Sequence, residues 1–131
     1  MNDERLRQAP SERFATDCLM IDLHANAAAL RAESAPTRHG HRQMTLFKQA
    51  GRTIALFVLD AGASLSEHAA AGVVTVQVIE GELHMTVAGE SRHLSPGGLL
   101  IMASGVRHDV RASSPAVFLL QVSLAAPEGE R

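Results

Sequence analysis

The stretch that decides the fold runs Val73-Val-Thr-Val-Gln-Val-Ile79, Glu80-Gly81-Glu82, Leu83-His-Met-Thr-Val87, Ala88-Gly89-Glu90 and Ser91-Arg-His-Leu94. Apolar runs of strand length alternate with short glycine turns that leave no room for a helix. The segment therefore predicts successive antiparallel hairpins. In Leu83–Val87, alternation turns Leu83, Met85 and Val87 inward and leaves His84 and Thr86 outside. Val73–Ile79 is different, because Val74, Val76 and Val78 share one face while Val73, Thr75, Gln77 and Ile79 share the other. A strand apolar on both faces needs cover on both. A second subunit is the expected cover, giving a homodimer, with the N-terminal helix as the alternative.

Working outward, the same pattern extends in both directions. Met44–Phe47, Arg52–Leu59, Leu99–Met102, His108–Ala112 and Val117–Ser123 read as strands. Ala50-Gly51, Ala61-Gly62, Pro96-Gly97-Gly98, Ser104-Gly105 and Ser113-Ser114-Pro115 punctuate them. The total is eight strands, Leu83–Ala88 and Ser91–Leu94 included, which argues for an all-β sandwich or closed barrel rather than alternating strands and helices. Ahead of them, Asp22 is placed to cap a short helix whose apolar positions are Leu23, Ala27 and Leu30. Glu33–Arg42 is polar and broken by Pro36 and Gly40, a connector. The organisation expected is residues 1–43 as tail, helix and connector, 44–125 as the barrel, and 126–131 as a C-terminal tail.

Composition narrows the partners. The chain has 131 residues, enough for one domain, with 46% hydrophobic and 20% charged residues. Aromatics are only 3%, with no Trp or Tyr, so the large core fillers are Phe14, Phe47, Phe57 and Phe118. Stacking platforms for bases are missing, the formal charge is −2, and Lys48 is the sole lysine. Neither nucleic acid nor an anionic membrane is an expected partner. The single cysteine, Cys18, excludes an intrachain disulfide and, in its apolar setting, is expected to be buried and inert. No apolar run is long enough to span a bilayer, and Asp3 and Glu4 sit in a polar N-terminal stretch, so a cytoplasmic location is expected.

Gly62-Ala-Ser-Leu-Ser-Glu-His68, with Gly81 thirteen residues beyond the histidine, resembles the first motif of the cupin superfamily. Gly97 to His108, with Gly105 three residues before the histidine and Asp109-Val110 after it, resembles the second. The resemblance implies a double-stranded β-helix, the RmlC-like jelly-roll barrel, with a divalent metal held inside by three histidines and a carboxylate. His68 and His108 match two of those positions. The second histidine of the first motif is replaced by Ala70, the glutamate by Val74, and a proline of the second motif by Ala103.

Two neutral imidazoles on an aliphatic wall compensate a divalent charge poorly. No cofactor is therefore firmly expected, and Zn, Fe, Ni or Mn at His68 and His108 would be weakly held. Gln77, Gln121 and Glu80 are the oxygen donors considered as supplements. The expected ligand pocket comprises His68, Ala70, Val74, Val76, Met85, His108, Val110 and Phe118. Ser64 and Ser66 lack an acid to complete a hydrolase triad, and Glu67 is expected to face away from its neighbour His68. Arg107 reads as a surface arginine. His39-Gly40-His41 reads as solvated, and His24, His84 and His93 as surface residues. The functional reading is a binder of a small molecule in the barrel interior. A metal-dependent oxygenase or isomerase using His68 and His108, and an interaction module with a filled barrel, are the alternatives.

Overall fold

The computed structural model describes residues 17–33 and 40–124. The two terminal tails and His39 lie outside them. The described residues hold one helix, α1 (Leu23–Arg31), and nine strands. These are β1 (His41–Gln49), β2 (Arg52–Leu59), β3 (Ser64–His68), β4 (Val73–Glu80), β5 (Leu83–Val87), β6 (Glu90–Leu94), β7 (Leu99–Met102), β8 (His108–Ala112) and β9 (Ala116–Ser123). They form two antiparallel sheets, ordered β1-β2-β9-β4-β7 and β3-β8-β5-β6. The fold is the all-β jelly roll with a short N-terminal helix.

Two differences from the sequence expectation concern the site. Ser64–His68 is a ninth strand, missed because only Leu65 in it is even half-buried, so no apolar alternation marks it. β1 starts at His41, inside the stretch read as connector.

The hairpins follow from turn chemistry. Ala50 and Gly51 have φ 54° and 75°, and Ala88 and Gly89 have φ 50° and 81°. Gln49 pairs with Arg52 and Val87 with Glu90 across these two-residue loops. Positive φ at both central positions matches the right-handed twist of the flanking strands. Gly81 is needed for a second reason: a Cβ there would lie 2.2 Å from the Pro115 carbonyl oxygen.

The inner faces meet in one core containing Phe57, Val74, Val76, Val78, Met85, Val110 and Phe118. The Phe57 and Phe118 rings stack at 4.8 Å. A second cluster joins α1 to the outer face of the larger sheet through Ala27, Leu30, Leu46, Leu56, Val58 and Val117. Asp22 caps the helix, its Oδ1 accepting from the Ala25 amide at 3.0 Å. Leu30 is 1% exposed, and burying such a side chain contributes about 1.5–3 kcal/mol. Glu80, at the end of β4, clasps the helix from outside, accepting from His24 Nδ1 at 3.0 Å and Arg31 Nη2 at 3.1 Å.

α1 and its neighbours take in Ile79 and Leu119. Val73 on β4 and Leu99 and Ile101 on β7 stay open, at 45%, 56% and 63% exposure. Cys18 is exposed rather than buried, because the segment before the helix runs along the surface and only Ile21 joins the helix cluster.

Candidate functional site

The two motif histidines come from neighbouring strands of the smaller sheet. β3 pairs with β8 as Ser64–Arg111 and Leu65–Val110, then shifts register to His68–His108. Three steps along β3 are matched by two along β8. On a regular strand His68 would take the opposite face from Leu65; the extra residue turns it onto the same face. The imidazoles meet edge to face, with centroids 4.1 Å apart and an interplanar angle of 63°.

Each ring is tied back to the backbone two residues before it. His68 Nδ1 lies 2.8 Å from the Ser66 carbonyl oxygen, and His108 Nδ1 lies 3.0 Å from that of Val106. A carbonyl only accepts, so both Nδ1 atoms carry the proton, and in the neutral rings both Nε2 atoms keep a free lone pair. Anchoring Nδ1 to a carbonyl is how ligating histidines are held in orientation. His108 is buried at 2% exposure, whereas His68 is open to solvent.

His68 lines a cavity of about 380 Å³ with His41, Gln43, Phe57, Ser64, Leu65 and Ser66. The cavity lies where β1, the edge of the larger sheet, faces β3, the edge of the smaller. His41 and Gln43 pair with Leu59 and Phe57, whose side chains face the core, so alternation aims both toward the cavity. The His41 ring stacks over Phe57 at 6.3 Å. His41 is thus a half-buried wall of the site, correcting its reading as a solvated connector residue. The signal available in sequence was its even spacing from Gln43 and Thr45 in a strand starting earlier than its apolar run.

The other expected pocket residues occupy the core. Val74, Val76, Met85, Val110 and Phe118 are between 0% and 3% exposed and packed against one another, and Ala70 borders them. Glu67 turns outward, where its Oε1 accepts from Arg107 Nε at 3.1 Å and Nη2 at 3.0 Å. This exposed pair ties β3 to the turn before β8, at a worth of about 0–1 kcal/mol.

The supplementary oxygen donors point elsewhere. Glu80 is engaged by His24 and Arg31. Gln77 and Gln121 alternate with core residues and so face outward. Among the described residues, no three His, Cys, Asp or Glu side chains group to hold one ion. The donor set does not fit a centre of three histidines and a carboxylate.

Two facing antiparallel sheets with paired histidines near one seam define a jelly-roll barrel of the double-stranded β-helix class. The cupin domain profile matches residues 55–122, just over half of the chain, and the protein belongs to the cupin domain family. Solved structures agree. A cupin superfamily protein from Desulfitobacterium hafniense matches at TM-score 0.68 and 17% identity, covering 86% of this chain and 96% of that one. The cupin domain of an XRE family transcriptional regulator from Enterobacter cloacae matches at TM-score 0.61 and 30% identity, covering 66% and 99%. A conserved protein of unknown function from Streptococcus pyogenes matches at TM-score 0.64 and 23% identity, covering 69% and 79%. No curated protein matches the chain. No helix among the described residues is long and apolar enough to cross a membrane.

Proposed function

We propose that this cupin binds a small organic molecule in the cavity between β1 and β3, with His68 as its principal polar contact and the His68–His108 pair as a degenerate metal site. The observation that carries the reading is the tie of both Nδ1 atoms to carbonyl oxygens, which leaves Nε2 lone pairs for an outside partner. A cavity of about 380 Å³ lies within the range of small-molecule pockets. Phe57 and Leu65 supply apolar contact; Gln43, Ser64 and Ser66 supply hydrogen bonds.

A sensory role is supported by likeness to a regulator's cupin domain. A homodimer built on Val73, Leu99 and Ile101 is supported by the apolar area that α1 leaves uncovered. The single cysteine is in keeping with a cytoplasmic home. The packed interior around Phe118 favours, as a second reading, an interaction module with a filled barrel.

Ligand-observed NMR against a library of small acids, phenols and sugars tests the proposal. Binders lost in His68→Ala support it; a library with no His68-dependent binder sinks it. Elemental analysis of untagged protein completes the test. A near-stoichiometric transition metal lost in both His68→Ala and His108→Ala points instead to a metal-dependent oxygenase or isomerase.

A further inference from the structure

The His68 cavity does not end at Ser64. That residue also lines a second cavity of about 390 Å³, whose other walls are Gly40, Asp60, Ala61, Gly62 and Ala63. The two adjoin along the seam, the first beside β3 and the second at the turn joining β2 to β3. His68 and Asp60 therefore stand at opposite ends of one cleft. From Ser64 to His68 the strand alone spans on the order of 12 Å.

The two ends differ in chemistry. In the second cavity Asp60 and Ser64 are the only lining side chains longer than a methyl group, and Asp60 carries the only charge. Asp60 is exposed, and among the described residues no cation pairs with its carboxylate. The amides around it are engaged. Asp60 N donates to the Gly40 carbonyl at 2.8 Å, Gly62 N to Ala112 at 2.8 Å and Ala63 N to Asp60 at 3.0 Å. The turn thus lacks the nest of free N–H groups that would hold an anion. A carboxylate without a counter-ion, beside amides already engaged, favours a cation.

The flanking guanidiniums face elsewhere. Arg42 pairs with Val58 on the helix-covered face of the larger sheet. Arg111 pairs with Ser64 but alternates with the core residues Val110 and Ala112, which puts it on the outer face of the smaller sheet. Among the described residues, no Lys or Arg lines either cavity. At the far end, His68 Nε2 offers a lone pair, which calls for an N–H or O–H donor. Leu65 lies between Ser64 and His68, and Phe57 adds apolar surface to the same cavity.

We propose that this cleft takes an elongated amine, with its protonated amino group at Asp60, an apolar middle against Leu65 and Phe57, and a hydroxyl donating to His68 Nε2. The proposal rests on the reading of the His68 cavity as a ligand site and adds the class of ligand. An anion of the same length is disfavoured, since both ends of the cleft present acceptors.

A matched series of probes tests the charge assignment. An extended, staggered chain of about eight carbons fits the span. An amino alcohol, a diol and a hydroxy acid of that length share one hydroxyl end and differ in charge at the other. Each is titrated into the untagged full chain at neutral pH and followed by calorimetry and ligand-observed NMR. The amino alcohol is expected to bind about 10-fold tighter than the diol, the scale of one charge-assisted hydrogen bond, with the hydroxy acid weakest. Asp60→Asn should bring the amino alcohol down to the level of the diol while diol binding is unchanged, which shows the cavity intact. His68→Ala should weaken all three, and added salt should narrow the preference for the amine. Equal binding of the three probes, preference for the hydroxy acid, or an amine preference that survives Asp60→Asn overturns the proposal and leaves the His68 cavity as a ligand site. Failure of all three to bind also overturns it, and the screen of acids, phenols and sugars then decides the cavity separately.

Discussion

His68 stands opposite His108 across the β3–β8 ladder, with the two rings in edge contact, yet one lies in the core and the other at the surface. Their stabilities to substitution should differ accordingly. His68→Ala removes an exposed ring and is expected to change stability by no more than about 0.5 kcal/mol. His108→Ala leaves a void and the part-buried Val106 carbonyl unpaired, at about 1–3 kcal/mol. Urea unfolding followed by far-UV circular dichroism checks both, since the chain has no Trp or Tyr to report by fluorescence. Equal costs at the two positions would show His68 to be structural.

Gly81 and Gly89 share a positive φ but differ in surroundings. A Cβ at Gly81 meets the Pro115 oxygen at 2.2 Å and Ala116 Cα at 2.8 Å, while one at Gly89 meets nothing within 4 Å. Gly89→Ala should cost about 1–2 kcal/mol from the left-handed backbone alone. Gly81→Ala should cost clearly more, or prevent folding, because the obstruction is backbone. Similar melting temperatures for the two variants would refute the close approach.

Ala88 carries the opposite lesson. It holds φ 50° in a two-residue hairpin turn where asparagine is far better suited. Ala88→Asn is expected to raise stability by up to about 1 kcal/mol, read as a shift in the denaturant midpoint at unchanged slope.

Glu80 makes the helix clasp sensitive to acid. Its hydrogen bond from His24, with further help from Arg31, holds its carboxyl below the usual range against an opposing effect of burial. A lowered folded value means the stabilisation is full above the unfolded value, about pH 4.3, and fades as pH falls through the folded one. Glu80→Gln should therefore be less stable than the parent at neutral pH, with the gap closing toward strong acid. A pH-independent gap would assign the effect to packing instead.

Ile101 tests the open face of the larger sheet. If a second copy covers Val73, Leu99 and Ile101, Ile101→Lys should convert a dimer to a monomer in sedimentation or light scattering while leaving the far-UV spectrum intact. A parent chain that is monomeric at every concentration would remove the homodimer.

The barrel was legible because its strands advertise themselves by alternation and its turns by glycine. Leu83–Val87 places Leu83 and Met85 in the core as the alternation requires. The motif spacing also picked out His68 and His108 as one pair. The seam of the barrel was harder to read. Ser64–His68 is polar and irregular, and His41 precedes the apolar part of its strand, so neither left an apolar periodic trace. The cavity they build depends on two sheet edges facing each other, a relation between residues far apart in sequence. Cys18 was misjudged because apolar neighbours in sequence do not ensure cover in space.

The irregular step between Leu65 and His68 makes this wall unusually responsive to changes of strand register. Smoothing that bulge with every residue kept would restore strict alternation, carrying the imidazole to solvent and swinging Glu67 inward beside His108. A binding surface written in neutral nitrogen would become one written in carboxylate, with no substitution at all. Diversification of this site has a route through strand register that side-chain replacement alone does not offer.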